Sequence, residues 1–183
     1  MRPLRPKAIA HSFRLRTWLL MALTAAALVF PACGNNSGSD GEPDPPIFSV
    51  KLDGETWSTT NVRATQFLTN PDSTLNTEIV ATDSATGEQV RILLVGQLRE
   101  GIFNYGSPST EHSVAFVTDS ATYEPDIRFD NPEDNDEGQI TVGLISSDNM
   151  AGTFQGTLSR VGSNGNEKLE LTEGSFKRVP LIF

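Results

Sequence analysis

Beyond residue 46 this chain repeats one pattern: apolar and polar residues alternate with period two, in short runs between turn-forming residues. A period of two sends successive side chains to opposite faces, so each run specifies a half-buried β-strand. Phe48, Val50 and Leu52 alternate with Ser49 and Lys51, and Ile140, Val142 and Leu144 with Thr141 and Gly143. Phe154 and Leu158 alternate with Thr153, Gln155, Thr157 and Ser159. Asp53-Gly54 is a strong hairpin-turn signal and puts Trp57 on the returning strand. Further strands are predicted over residues 62–68, 78–82, 90–95, 101–105, 114–117 and 126–129. Leu169 and Leu171 return from the turn at 162–166, and residues 176–183 close the chain. Ile92-Leu93-Leu94-Val95 is continuously apolar, as in a strand covered on both faces.

No helical periodicity follows the N-terminal segment. About ten short strands exceed what one flat sheet comfortably holds. The expected fold is therefore an all-β antiparallel β-sandwich, or alternatively a calycin-like β-barrel, formed as a single domain over residues 47–183. Pro180 lacks the N–H that a central strand needs, which predicts an edge position or a bulge there.

The first 32 residues obey a different logic. Arg2, Arg5, Lys7, Arg14 and Arg16 precede a 13-residue apolar run, 18–30, with no acidic residue among them. That run falls short of the about 20 residues needed to span a bilayer, and the pattern is that of a signal peptide. Ala32 and Cys33 follow, and Cys33 is the only cysteine of the 183 residues. A lone cysteine forms no intramolecular disulfide, and a free thiol in an exported protein is an oxidation liability. Lipidation of Cys33 accounts for both, although Phe30 stands where lipoprotein signals usually carry Leu. A soluble-secretion cut after Ala25-Ala26-Ala27 is the rival. Gly34, in place of the Asp that commonly retains lipoproteins at the inner membrane, points to the outer membrane.

Residues 34–46 contain no apolar side chain but proline and are predicted to be a disordered tether. With five of the 14 basic residues in the signal, nine remain against 23 acidic ones, a net −14. That charge argues against nucleic acid and against direct docking on anionic lipid.

The segment Phe48-Ser49-Val50-Lys51-Leu52-Asp53-Gly54-Glu55-Thr56-Trp57 resembles the opening of a family of small lipoproteins of unknown function, common in Bacteroidota. Their domain begins with a strand, an Asp-Gly turn and a Trp. Gly101-Ile102-Phe103-Asn104-Tyr105 resembles the family's central Gly-x-Tyr strand, with Phe103 where Tyr is usual. Gly152-Thr153-Phe154 and Glu173-Gly174-Ser175-Phe176 resemble its closing hairpin, with Glu173 where Asn is usual. The resemblance covers most of residues 47–183 and implies a lipid-anchored β domain. It brings no catalytic residue, because the family has none established.

Chemistry-bearing residues are sparse. His112 is the one histidine after the signal; it lies in a polar, turn-like stretch without a nucleophile motif and is expected to be an exposed loop residue. A structural zinc site wants four Cys or His-type ligands. Carboxylates are numerous enough for a glycosidase pair, which also calls for aromatic platforms. Trp57, Tyr105 and Tyr123 are the candidates, and Trp57 is expected in the core. The acidic run 126–138 makes Asp130, Asp134 and Asp136 weak calcium candidates, but the ligand spacing of a calcium loop fails, so a solvated hairpin loop is expected. No cofactor is expected.

These features describe a non-enzymatic, monomeric cell-envelope lipoprotein whose β domain binds or presents an envelope protein or a glycan. A carbohydrate-active accessory enzyme or glycan-binding protein, and a structural envelope component, are the alternatives. Replacing Cys33 by Ala is expected to move the protein from the membrane fraction to the soluble one on cell fractionation. Unchanged membrane retention would refute lipidation.

Overall fold

The computed structural model describes residue 45 and residues 47–69, 73–128 and 132–183. The signal segment, Cys33, the tether apart from Pro45, and Asp130 lie outside the described residues.

Among the described residues eleven strands follow one another: β1 (Ile47–Leu52), β2 (Glu55–Thr59), β3 (Val62–Thr69), β4 (Thr74–Thr82), β5 (Gln89–Val95), β6 (Gly101–Tyr105), β7 (Ser113–Val117), β8 (Thr122–Glu124), β9 (Gly138–Ile145), β10 (Asn149–Arg160) and β11 (Lys168–Ile182). The all-β class expected from the alternation is what the structure has: among the described residues a short 3-10 turn at Pro132–Asp134 is the one helical element besides the strands. The hydrogen-bonded order is β2-β1-β11-β3-β4-β5-β7-β8-β10-β9-β6, and β10 also pairs with β11. The pairings therefore run in a circuit through β11, β3, β4, β5, β7, β8 and β10, with β1–β2 and β9–β6 attached to its two longest members.

Those two strands each take successive neighbours along their length. β11 pairs with β1 between Leu171 and Lys177, then with β3 at Leu181 and Ile182. β10 pairs with β9 from Met150 to Gly156, then with β8 at Ser159 and Arg160. Two bulges bend β11 so that it can do this. One places Thr172 and Glu173 opposite Gln155; the other places Lys177 and Arg178 opposite Ala151. Glu173 and Arg178 both have φ near +50°, the left-handed region, and a bulge bends its strand and increases its local twist. Pro180 sits two residues beyond the second bulge, opposite Asn149.

Two sequence expectations are corrected. The β3–β11 pair is parallel, so the sheet is mixed and not wholly antiparallel. The strand placed over residues 126–129 does not form over its described part: strand β8 lies earlier, at Thr122–Glu124, and residues 125–128 are irregular. Pro125 has no N–H to give to a ladder. The backbone N–H and carbonyl of Asp126 are taken by Asp136.

Asp53-Gly54 forms the β1–β2 turn as its sequence predicts, both residues at positive φ, which is the type I′ geometry that matches strand twist. The Asp53 carboxylate also accepts the Glu170 N–H at 2.8 Å, fastening the turn to β11.

Inside the circuit the aromatic rings form a chain. Phe154 lies 5.2 Å from Phe48; Phe48 meets Trp57 edge-on at 6.0 Å; Trp57 meets Phe116 edge-on at 6.5 Å; Phe116 lies 6.2 Å from Tyr123. The chain joins β1 and β2 to β7, to which neither is hydrogen-bonded. Burying each large apolar side chain contributes roughly 1.5–3 kcal/mol. Trp57 is in the core, as its sequence context predicts, and its indole N–H donates to Glu88 at 3.2 Å.

The closing hairpin is held by an exchange of rings and glycines. Phe176 stands directly opposite Gly152, and Phe154 directly opposite Gly174. A Cβ on Gly152 would strike the Phe176 ring, and one on Gly174 would strike the ring and carbonyl of Phe154. The Gly-x-Phe spacing on both strands is the sequence trace of this fit. Glu173, beside it, occupies a backbone conformation that favours Asn or Gly over a residue with a longer side chain.

Two substitutions test this account. Gly174→Ala is expected to destabilise the protein by about 1–3 kcal/mol through overpacking. Glu173→Asn is expected to stabilise it by up to about 1 kcal/mol, the lost Lys51 pair being exposed and worth little. Urea-unfolding midpoints that move in the opposite directions would refute it.

Candidate functional site

Along β6, β9 and β10 the outward-facing positions fall in register. Asn104 pairs with Gln139, and Gln139 with Gln155. The next row is hydroxylic: Thr141 pairs with Thr153, Thr153 with Ser175, Ser175 with Ser49, and Ser49 with Ser58. The first row borders an open groove of about 650 Å³, whose far wall is Thr157, Glu170 and Thr172. A second hollow of about 330 Å³ shares Gln139 and Gln155 with it and extends over Thr141, Thr153 and Ser175. The two make one continuous polar surface on the sheet.

The groove has a rigid floor. Tyr105 is buried beneath it, and its hydroxyl donates to the Gln155 carbonyl at 3.3 Å. Gly138 and Gly156 pair with each other directly above the ring, and a Cβ on either would run into it. Burial, and then the charge of Asp136, push the Tyr105 phenol well above its ordinary range, so it remains a proton donor at any working pH. The strand carrying Gln155 is thus fixed from below by a hydrogen bond and a ring.

Asp136 anchors one end of this floor. Its side chain is fully buried, with one oxygen on Lys168 Nζ at 3.0 Å and the other accepting the Asp126 N–H at 2.9 Å. A buried carboxylate is tolerated when paired and hydrogen-bonded in this way. Arg128 holds the same loop, reaching Asp126 at 2.8 Å and Asp134 at 3.9 Å and donating to the Asn164 carbonyl in the β10–β11 turn.

The described part of the acidic run is fastened to the domain at Asp126 and Asp136, while Glu133, Asp134 and Glu137 are exposed, as its charge predicts. Asp134 and Asp136 are engaged by cations of the chain itself, and no group of three or more His, Cys, Asp or Glu that could hold a metal occurs among the described residues.

His112 also departs from expectation. It is half-buried, its Nδ1 accepts the Val95 N–H at 3.1 Å, and its ring stands edge-on to Phe103 at 5.1 Å. The neutral imidazole is the form that can accept this bond. Burial lowers its pKa, with Glu111 opposing and Arg99 adding to the shift. It lies away from the polar groove, against Gln97 and Arg99. Tyr123 is half-buried on Phe116, so Trp57, Tyr105 and Tyr123 do not come together as an exposed aromatic cluster.

Sequence reasoning did not single out Asn104, Gln139 or Gln155. The trace was present as polar residues at alternate positions of adjacent predicted strands. Their alignment depends on a register that no local pattern reveals.

The fold and site together define an all-β protein with a polar groove on its sheet. The chain belongs to a family described as a domain of unknown function, DUF6252, whose model matches residues 44–180. No curated protein and no solved structure matches it.

The His112 geometry carries a pH signature. Its folded pKa lies below the unfolded value of 6.5, so between the two the unfolded chain binds more protons, and stability rises with pH. The contribution is complete above about pH 6.5 and is lost as pH falls through the folded value. His112→Gln, which keeps an acceptor but does not titrate, is expected to lose less stability than the wild type between pH 7 and 5.5. Parallel denaturation curves for the two chains across that range would contradict this.

Proposed function

We propose that this chain is a lipid-anchored protein of the cell envelope, held at the outer membrane through Cys33, and that its β domain binds a partner through the polar groove without chemically altering it. The observation that carries the reading is the groove itself: a rigid backbone floor under solvent-facing amides and hydroxyls. The signal-like N-terminal segment and Cys33 support the anchoring half. The charge-poor rows suit recognition, since amides and hydroxyls both donate and accept hydrogen bonds.

A hydrolytic reading draws on Glu137 and Glu170, which both line the groove. It is weaker because a glycosidase's general acid needs a sheltered setting, and both glutamates are exposed. The aromatic residues that would form a sugar platform are instead built into the interior.

A photo-cross-linking residue at position 155 in the full chain, expressed in cells, is expected to yield membrane-fraction adducts. The same residue at position 85, in the exposed β4–β5 loop, is expected to yield none. Absence of adducts at 155, or equal yields at the two positions, would overturn the proposal.

A further inference from the structure

The charge of the domain is segregated. Strand β1, strand β3 and residues 174–183 contain no Asp or Glu, in a chain that has 23 of them. The same segments hold Lys51, Arg63, Lys177 and Arg178, four of the nine basic residues beyond the signal segment. They are neighbours in space, because β11 pairs with β1 and, further along, with β3. Lys51 is taken up by Glu173, while Arg63 and Lys177 are in no ion pair among the described residues.

Exposed apolar side chains gather on these strands too. Ile47, Phe67, Leu68, Ile182 and Phe183, each at least 40% exposed, are five of the eight large apolar residues that stand out among the described residues. Val62 and Ala64 point into the core, so Arg63, Thr65 and Phe67 share the outer face of β3. Ile182 pairs with Thr65, and Ile47 with Lys177. Apolar and cationic side chains are thus interleaved on one acid-free face.

We infer that this β1–β11–β3 face rests on the phospholipid headgroup layer of the membrane that holds Cys33, with Phe67 and Ile182 against the lipid and Arg63, Lys177 and Arg178 toward headgroup phosphates. This rests on the anchoring proposed above and adds the orientation of the anchored domain. An interfacial surface needs apolar atoms that enter the headgroup boundary and long cationic side chains that keep their charge at phosphate depth. The chain enters the domain at Ile47, on this face, and residues 34–46 separate it from Cys33. A coil of that length spans roughly 20 Å, which brings the face within reach of the bilayer. The acids lie on the rest of the domain, which carries −14 with this face included, so headgroup phosphates favour this side over the others. A second copy is the poorer occupant: a two-fold contact sets a face against itself, and here cations would meet cations with no acid to pair them. Glu170 and Thr172 of the groove lie toward the opposite end of β11 from Ile182, so docking here leaves the groove open to solvent.

The test uses the full chain reconstituted in phosphatidylcholine vesicles whose acyl chains carry bromine, which quenches tryptophan on contact. Phe67→Trp is expected to lose emission in these vesicles, relative to unbrominated ones, beyond any loss of the wild type. Ala85→Trp, in the exposed loop at the other end of β4 from the Phe67 partner Asn76, is expected to lose none beyond the wild type. Adding Arg63→Glu and Lys177→Glu to Phe67→Trp is expected to reverse most of the loss. Vesicle flotation reads the anchor separately. A chain that floats with Phe67→Trp unquenched, equal quenching at 67 and 85, or undiminished quenching in the charge-reversed variant would overturn the inference and leave the anchor standing. Emission of Phe67→Trp that shifts to the blue with protein concentration in detergent, without bromine quenching in vesicles, would give the face to a second copy and overturn it as well. If the chain does not float, anchor and docking both fall.

Discussion

Phe176 over Gly152 and Phe154 over Gly174, in direct register across β10 and β11, set the distance and alignment of the two strands that every circuit of the sheet passes through. Each ring fills the space that the opposite residue gives up by lacking a Cβ. The exchange works in one register only, because a slip by one residue would turn every ring outward. With that register set, β1 follows on β11 and β9 on β10, and the bulges at Glu173 and Arg178 bend β11 toward β3.

The candidate site depends on the same device used a second time. Tyr105 occupies the room left by Gly138 and Gly156 as the phenylalanines occupy theirs, and its hydroxyl fixes the Gln155 carbonyl from below. Asp136, held by Lys168 and the Asp126 backbone, keeps the approach to β9 in place. The amides above are thereby presented on backbone that gives little. Such preorganisation lowers the ordering cost of binding and suits open, polar recognition. The described part of the acidic loop contributes position to the groove.

The strands that alternate cleanly were legible from sequence, and so was the Asp53-Gly54 turn. So was the interior place of Trp57. What misled was chemistry that looked local and was not. Residues 126–129 have a strand-like composition, but Pro125 and the buried Asp136 keep residues 126–128 out of the ladder. His112 sits among turn residues, yet the Val95 N–H and the Phe103 ring draw it inward. Asp136, Val95 and Phe103 each lie at least nine residues from the residue they hold, beyond the reach of a periodicity window.

The sequence by itself determined which residues face in along the strands without bulges, because a period of two depends only on neighbours; past the bulge opposite β9, Leu144 turns out to solvent. It determined the tight turns and the sites of the glycines for the same reason. Tertiary structure alone decided that β3 meets β11 in parallel, that β10 and β11 close the circuit, and that Asn104, Gln139 and Gln155 stand side by side. Register between strands far apart in the chain is set by mutual fit of rings, glycines and bulges, and that fit exists only once the strands have come together.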